Sequence, residues 1–333
     1  MSCLVYIPQD IEAEGKNYLL ERGYELRIGS DLSQKTLMNE IRDCEALLTR
    51  SMAAISKEVI AAGRRLKVIA KYGVGLDNIN VRAATERGIY VTNTPEANAN
   101  TVAEHVMAFI LALSKQLMAA DKELRKGNYE VRHQLLSMDL EGKTLGVIGL
   151  GRIGRLLAQK VGKGFGMRVI GYDPYLTANP DRDIEFAADI ERVFRHSDVI
   201  SLHLPLTETT KGAIGSREFA WMKSSAYFVN ASRGEIVKGK DLVEALKTGA
   251  IAGAGIDVFE EEPPSENNPL FQLENVIVSP HSAALTTEAS ARMAIHAAMQ
   301  VDQVLRGRRP EWAVNEPQNR EKMNGTGKLM KRL

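Results

Sequence analysis

Residues 143–173 join a short apolar strand, a Gly-x-Gly-x-x-Gly turn and an amphipathic helix without interruption, which leaves few folds open to the chain. The strand Leu145-Gly-Val-Ile148 runs into Gly149-Leu-Gly151-Arg-Ile-Gly154, and a helical period follows over Ile153–Lys163. In such a unit the first glycine permits the tight turn and the second lets backbone approach a pyrophosphate. The third allows the helix to pack closely on the strand. The amides around Arg152 and Ile153 then point out of a helix N-terminus, where the helix dipole favours an anion. The following strand ends on Asp173, nineteen residues past Gly154, where a carboxylate would accept both ribose hydroxyls and repel a 2′-phosphate. No arginine immediately follows it. The pattern predicts a dinucleotide site for NAD rather than NADP.

The rest of the chain repeats the rhythm of that unit. Strands are predicted at Leu4–Ile7, Ala46–Thr49, Lys67–Ala70 and Ile89–Thr92, with helices at Ile11–Glu21, Lys57–Ala62 and Val81–Arg87. A second series has strands at Thr144–Ile148, Arg168–Gly171, Asp198–Leu202, Ala226–Asn230, Ala252–Gly255 and Val276–Val278. Helices over Ile190–His196 and Lys240–Thr248 separate some of these. Such βαβα alternation predicts an α/β protein of two doubly wound parallel-sheet domains, one Rossmann-like and one flavodoxin-like, with a cleft between them. The longest helical pattern, Asn100 to about Lys126, sits between the two series as an inter-domain spine. A last helix, Thr286 to Arg306, has the length to cross back to the first domain. The expected division is therefore 1–99 plus 287–333 for substrate and 100–286 for the cofactor. After Pro310 a basic tail is expected to be solvated and mobile.

Bulk properties remove several classes of function. Across 333 residues the apolar share is 44%, the charged share 26% and the formal net charge +1, which supplies no electrostatic case for nucleic acid or membrane. The two cysteines, Cys3 and Cys44, have neither disulfide-framework nor metal-ligand spacing, so no metal is expected. The N-terminus lacks a basic region and reads as a first strand rather than a signal peptide. The longest uncharged apolar run, Val106 to Leu113, is far shorter than a membrane span. A cytoplasmic location is expected.

Three polar groups fall at the ends of late strands, where ligands bind in open α/β sheets. Arg233 lies in VNASRGEIV, Glu262 in IDVFEEEPP and His281 in VSPHSAA. A histidine is the side chain best suited to exchange an alcohol proton near neutrality. A carboxylate beside it fixes the tautomer and supports the imidazolium, and an arginine can hold a carboxylate by a bidentate fork. Each residue alone is more often structural or solvated.

Taken with NTPEANANTVAEH, GLGRIG, HLPLTETT, MKSSAYFVNASRGEIV and DVFEEEPP, the chain closely resembles the D-isomer-specific 2-hydroxyacid dehydrogenases from residue 73 to residue 284. The resemblance implies hydride transfer between nicotinamide and C2 of a small 2-hydroxy or 2-keto acid. It makes His281 the acid/base, Glu262 its partner and Arg233 the group on the substrate carboxylate and keto oxygen. The amides of Val74 and Gly75 would hold that carboxylate, Asp257 would face the nicotinamide carboxamide, and Pro205 and Thr210 would line the cofactor cleft. A homodimer through the cofactor domains is also implied. Two departures, Lys238 after Val237 and Ser282-Ala283-Ala284 after His281, touch pocket shape but remove no catalytic group.

Two rivals share much of this pattern. Formate dehydrogenases pair the histidine with Gln, where this chain has Glu262. NAD-sensing corepressors similar to the C-terminal-binding proteins keep the whole triad, but no dedicated partner-binding extension is evident. Three cations suggest the substrate. Arg50 and Lys71 end adjacent strands and Arg132 precedes the cofactor domain, in segments resembling phosphoglycerate dehydrogenases. They predict a substrate with a second anion, such as 3-phosphoglycerate, with hydroxypyruvate or glyoxylate as the alternative. Lys71 stands where Arg is usual, and an ammonium cannot make the bidentate fork.

Overall fold

Neighbouring strands run parallel in both sheets of the structure, a computed structural model that describes residues 2–179 and 181–317. The chain divides into two units, Met1–Asn98 with Thr286–Leu333 and Ala99–Leu285. In the first, β1 (Leu4–Ile7), α1 (Ala13–Leu20), β2 (Glu25–Ile28), α2 (Gln34–Glu40) and β3 (Ala46–Thr49) are followed by α3 (Lys57–Ala62), β4 (Val68–Lys71), α4 (Val81–Glu86) and β5 (Tyr90–Thr92). The sheet order is β2-β1-β3-β4-β5, the flavodoxin-like order. Every residue of β3 and β4 is buried, as strands covered on both faces must be. The side chains of Ser33, Ser56 and Asn80 cap α2, α3 and α4, each accepting an N–H of the first turn.

The second unit begins with α5 (Ala99–Ser114) and α6 (Leu117–Arg125), then β6 (Thr144–Ile148), α7 (Arg152–Phe165), β7 (Arg168–Tyr172), β8 (Glu185–Phe186) and α8 (Ile190–His196). It continues through β9 (Val199–Leu202), α9 (Ser216–Trp221), β10 (Tyr227–Asn230), α10 (Gly239–Lys247), β11 (Gly253–Ile256) and β12 (Val276–Val278). Its strand order, β12-β11-β10-β9-β6-β7-β8, reverses direction between β6 and β9 and is the Rossmann order with one strand added. Helix α5 is the core helix of this unit, packed on α7, β10 and β11.

The single long helix expected over Asn100–Lys126 is not formed. Gln116 adopts φ 50° and splits it into α5 and α6, which meet at 57°. The break has a partner. The final carbonyl of α5 and the one after it are taken by a later segment, Ser114 O by the Met138 N–H (2.8 Å) and Lys115 O by the Ser137 hydroxyl (3.2 Å). With its C-terminal acceptors satisfied in this way, the helix has no need to continue. Among the described residues no single helix is long and apolar enough to cross a membrane.

The chain returns to the first unit as α11 (Thr287–Leu305), which packs on α1, β3 and β4. Met293, Ala294, Ala297, Ala298 and Val301 form its buried stripe. Burial of a side chain the size of Val301 contributes ~1.5–3 kcal/mol. A Cβ on Gly15 of α1 would lie 2.7 Å from the Ala294 carbonyl oxygen, so the two helices meet where only glycine fits. The expectation of a free tail after Pro310 is corrected over its first residues. Ala313 bridges antiparallel to Thr92, and Asn315 is buried, accepting the Val91 N–H (2.7 Å) and donating to Ile89 O (2.9 Å). The basic residues Arg320, Lys322, Lys328, Lys331 and Arg332 lie outside the described residues.

Candidate active site

The glycine turn after β6 sits where the strand order of the second unit reverses, the position at which open α/β sheets bind ligands. Gly149 has φ 97°, a conformation side-chain-bearing residues avoid, and any Cβ there would meet His203 O at 2.5 Å. A Cβ on Gly154 would meet Gly149 O at 2.2 Å, which fixes the close seat of α7 on the turn. A Cβ on Gly151, by contrast, would meet no atom within 4 Å, so the space in front of the α7 N-terminus is open. Arg152 and Ile153 begin α7, whose first amides have no acceptor within the helix. That open cradle fits a diphosphate.

Asp173 follows β7 and binds the same turn. Its Oδ2 accepts the Leu150 N–H (3.0 Å) and its Oδ1 the Tyr175 N–H (3.0 Å). A carboxylate has about four acceptor positions, so ribose hydroxyls can still be taken. After β9, Thr210 folds its own loop. Its hydroxyl donates to Pro205 O (2.7 Å) and accepts the Thr207 N–H (2.8 Å). His203, beside that loop, was not singled out from the sequence. Burial pushes its imidazole down to about 4, and Nε2 lies 2.9 Å from Ser201 Oγ.

The polar triad stands on three loops of the same unit. After β10, buried Asn230 accepts the Ser232 N–H (3.0 Å) and hydroxyl (2.7 Å) and donates to Arg233 O (2.9 Å), setting the turn that carries Arg233. After β11, Glu262 Oε1 accepts the Phe259 N–H (3.0 Å), which closes its loop before the cis bond to Pro263. After β12, His281 has φ 51°, a left-handed conformation costing a non-glycine residue ~1–2 kcal/mol. Its Nδ1 lies 2.6 Å from Glu262 Oε2. Burial alone would raise the Glu262 carboxyl. The hydrogen bonds from His281 and the Phe259 amide, with the charges of His281 and Arg233, outweigh it and hold the group below the usual range. Arg233 is thus electrostatically coupled to the pair. Asp257 is 1% exposed and accepts the Ser279 hydroxyl (2.5 Å), the Ser282 N–H (2.9 Å) and the Ala283 N–H (3.0 Å), so it organises the histidine loop from within.

This arrangement pairs an anion cradle with a carboxylate-supported imidazole in one Rossmann unit. Residues 107–283 match the family model described as D-isomer specific 2-hydroxyacid dehydrogenase, NAD binding domain. The chain belongs to the D-isomer-specific 2-hydroxyacid dehydrogenases. It is 42% identical over 301 residues to a D-3-phosphoglycerate dehydrogenase of Methanocaldococcus jannaschii, covering 90% of this chain but 57% of that one. It is 39% identical to a glyoxylate reductase of Korarchaeum cryptofilum, covering 94% of this chain and 96% of the other. The D-lactate dehydrogenase of Aquifex aeolicus, solved with NAD and lactic acid, superposes with a TM-score of 0.82 at 29% identity, covering 91% of this chain and 96% of that one.

The residues expected to touch substrate from the first unit are placed as follows. Val74 and Gly75 follow β4 in a loop tied to the end of β5. Gly73 N–H donates to Thr94 Oγ1 (3.0 Å), and Asn93 Nδ2 donates to Val74 O (3.0 Å). Lys71 is buried, its Nζ on Asn78 Oδ1 (2.7 Å) and Arg50 O (3.1 Å). Arg50 donates to Asp10 O (3.2 Å), lies 3.8 Å from Glu12 Oε1 and covers the Tyr72 ring at 4.6 Å. Arg132, in the second unit, is exposed and stacks over Tyr129 at 4.4 Å. Among the described residues no group of His, Cys, Asp or Glu is placed to hold a metal ion.

Proposed function

We propose that the chain is an NAD-dependent 2-hydroxyacid dehydrogenase that uses His281 as its acid/base. The 2.6 Å contact between His281 Nδ1 and Glu262 Oε2 carries this reading, because it commits Nδ1 to the carboxylate and leaves Nε2 as the nitrogen that exchanges a proton. In oxidation Nε2 takes the hydroxyl proton of the substrate, and in reduction it returns one to the keto oxygen. The adjacent carboxylate supports the imidazolium formed in between. Arg233 binds the substrate carboxylate and polarises the C2 oxygen, and the Val74 and Gly75 amides assist on the carboxylate. Bound NAD supplies the hydride acceptor. Gly149, Gly151, Arg152, Ile153 and Gly154 would hold its diphosphate, Asp173 its ribose, with Pro205, Thr210 and Asp257 along the rest of it. The Asp173 carboxylate favours NAD over NADP.

For the substrate, a second anion of the 3-phosphoglycerate kind would rest on Arg50, Lys71 and Arg132. Their partners favour the alternative, a short acid such as hydroxypyruvate or glyoxylate. Lys71 is engaged inside its own unit, Arg132 lies on Tyr129, and the carboxylate of Glu12 beside Arg50 would repel a phosphate. The test is NADH oxidation against 3-phosphohydroxypyruvate, hydroxypyruvate, glyoxylate and pyruvate. Hydroxypyruvate or glyoxylate should give the highest kcat/KM. A large preference for the phosphorylated acid would restore the second-anion reading, and turnover of none would overturn the activity.

A homodimer is also proposed. Helix α6 buries none of its residues, and Leu117, Met118 and Leu124 with nearby Tyr129 and Leu136 are each more than half exposed. Exposed apolar side chains so concentrated call for cover, and a second copy of this unit supplies it. Light scattering should give twice the chain mass; a monomer at micromolar concentration would contradict this.

A further inference from the structure

The loop that carries His281 hangs on one buried residue. Asp257 follows β11, and every residue from 279 to 283 with a donor to offer, Pro280 alone having none, gives one to it. Ser279 gives its hydroxyl (2.5 Å), His281 its N–H to the main-chain carbonyl (2.7 Å), and Ser282 and Ala283 their N–H groups (2.9 and 3.0 Å). The conformation of His281, unfavourable for a residue with a side chain, is held by this set of bonds.

One further residue completes the set. His105, on α5, places Nε2 3.0 Å from Ser279 Oγ and 3.8 Å from Asp257 Oδ1. A serine hydroxyl has a single proton, and that of Ser279 is given to Asp257. His105 must therefore donate, so its Nε2 carries hydrogen and its tautomer is fixed. The ring is braced edge-on by Phe109, with centroids 4.8 Å apart. Phe109 in turn lies against Gly255 of β11, where a Cβ would come within 2.7 Å of the Phe109 ring. The core helix thus reaches the acid/base loop through two hydrogen bonds in series.

We infer that His105 and Ser279 are positioning residues, which orient the Asp257 carboxylate and through it hold His281 in register with Glu262. The inference rests on His281 being the acid/base. Without the His105 donor, the Ser279 hydroxyl is free to turn, and Asp257 loses the bond that fixes Oδ1 between residues 279 and 282. A buried acceptor left loose in this way costs on the order of tenfold in rate if the bond is tighter in the reacting complex than in the resting protein. Glutamine can place an amide N–H where the imidazole Nε2–H stood, whereas leucine fills the volume without a donor.

The experiment compares His105→Gln, His105→Leu and Ser279→Ala with the parent and with His281→Ala. It measures kcat, KM and the pH profile of kcat/KM, together with thermal midpoints. His105→Leu and Ser279→Ala should each lose about tenfold in kcat and shift the pH profile, and His105→Gln should recover most of the loss. A purely structural role would lower the thermal midpoint and leave the pH profile in place. Parent kinetics in His105→Leu, or glutamine no better than leucine, would overturn the inference while His281→Ala remains inactive. Activity retained in His281→Ala would instead remove the reading beneath it.

Discussion

Gly234→Ala should disable the site by geometry alone. A Cβ built on Gly234 falls 1.9 Å from the Phe259 carbonyl carbon, 2.1 Å from its oxygen and 2.5 Å from the Glu260 nitrogen. All three are backbone atoms, so no side chain can swing away. The Arg233 turn and the loop leading to Glu262 must part by about 1.5 Å to reach ordinary contact. Forced expansion of a packed region costs ~1–3 kcal/mol, which corresponds to roughly 2–12 °C in the melting midpoint of a domain this size. Misplacing a catalytic group by 1 Å costs on the order of 10²-fold. The protein should therefore stay folded at 25 °C while kcat/KM for NADH-dependent keto-acid reduction falls about a hundredfold. Gly162→Ala is the control, because it sits inside α7 with its nearest neighbour 3.8 Å away. That change should add ~0.5–1 kcal/mol of stability and leave turnover alone. Parent kcat/KM in Gly234→Ala would show that the approach of the two loops does not set the reaction geometry.

Three shorter predictions accompany it. Asp173→Ala should narrow the preference for NADH over NADPH, read as the ratio of kcat/KM values; an unchanged ratio would mean that Asp173 does not read the ribose. His203, held near 4 by burial, takes a proton in the unfolded chain before the folded one. Its contribution is intact above the unfolded value near 6.5 and lost as pH falls toward about 4, so urea midpoints should drop between pH 7 and 5, and His203→Gln should flatten that drop. Gly15→Ala should destabilise by ~1–3 kcal/mol through its contact with the Ala294 backbone, checked by thermal melts.

The interior strands were legible because burial on both faces writes them as short apolar runs, and Leu4–Ile7, Ala46–Thr49 and Thr144–Ile148 fall where the pattern put them. Of the four edge strands, Tyr90–Thr92 and Val276–Val278 keep a β-branched apolar run and were read, whereas the other two carry no such signal. Glu25–Ile28 alternates charged residues with a half-buried Leu26 and an exposed Ile28, and Glu185–Phe186 is two residues long. Helix α2 was missed because its polar run Gln-Lys-Thr-Leu-Met-Asn-Glu fully buries only Leu37. The break at Gln116 was hidden by good helix formers on both sides, since its cause is a hydrogen-bonded segment twenty residues further on. In the site, the resemblance supplied the triad and the strand-end position of each member was visible. The support beneath the triad was not. His105 reads as one more residue of an apolar helix, and only the fold brings it to Ser279 and Asp257. The cations illustrate the converse: their strand-end positions were plain in the sequence, but Glu12 beside Arg50 appears only once β1 and β3 are neighbours.

The most direct measurement of the central claim is single-turnover reduction of hydroxypyruvate or glyoxylate by His281→Ala, with NADH affinity measured on the same sample by nicotinamide fluorescence. Loss of general acid/base help should slow the chemical step by about 10²–10⁴-fold while NADH binds as it does to the parent, because the cradle at Gly149–Gly154 is untouched. A chemical step near the parent rate would contradict the assignment of His281 and the mechanism built on it.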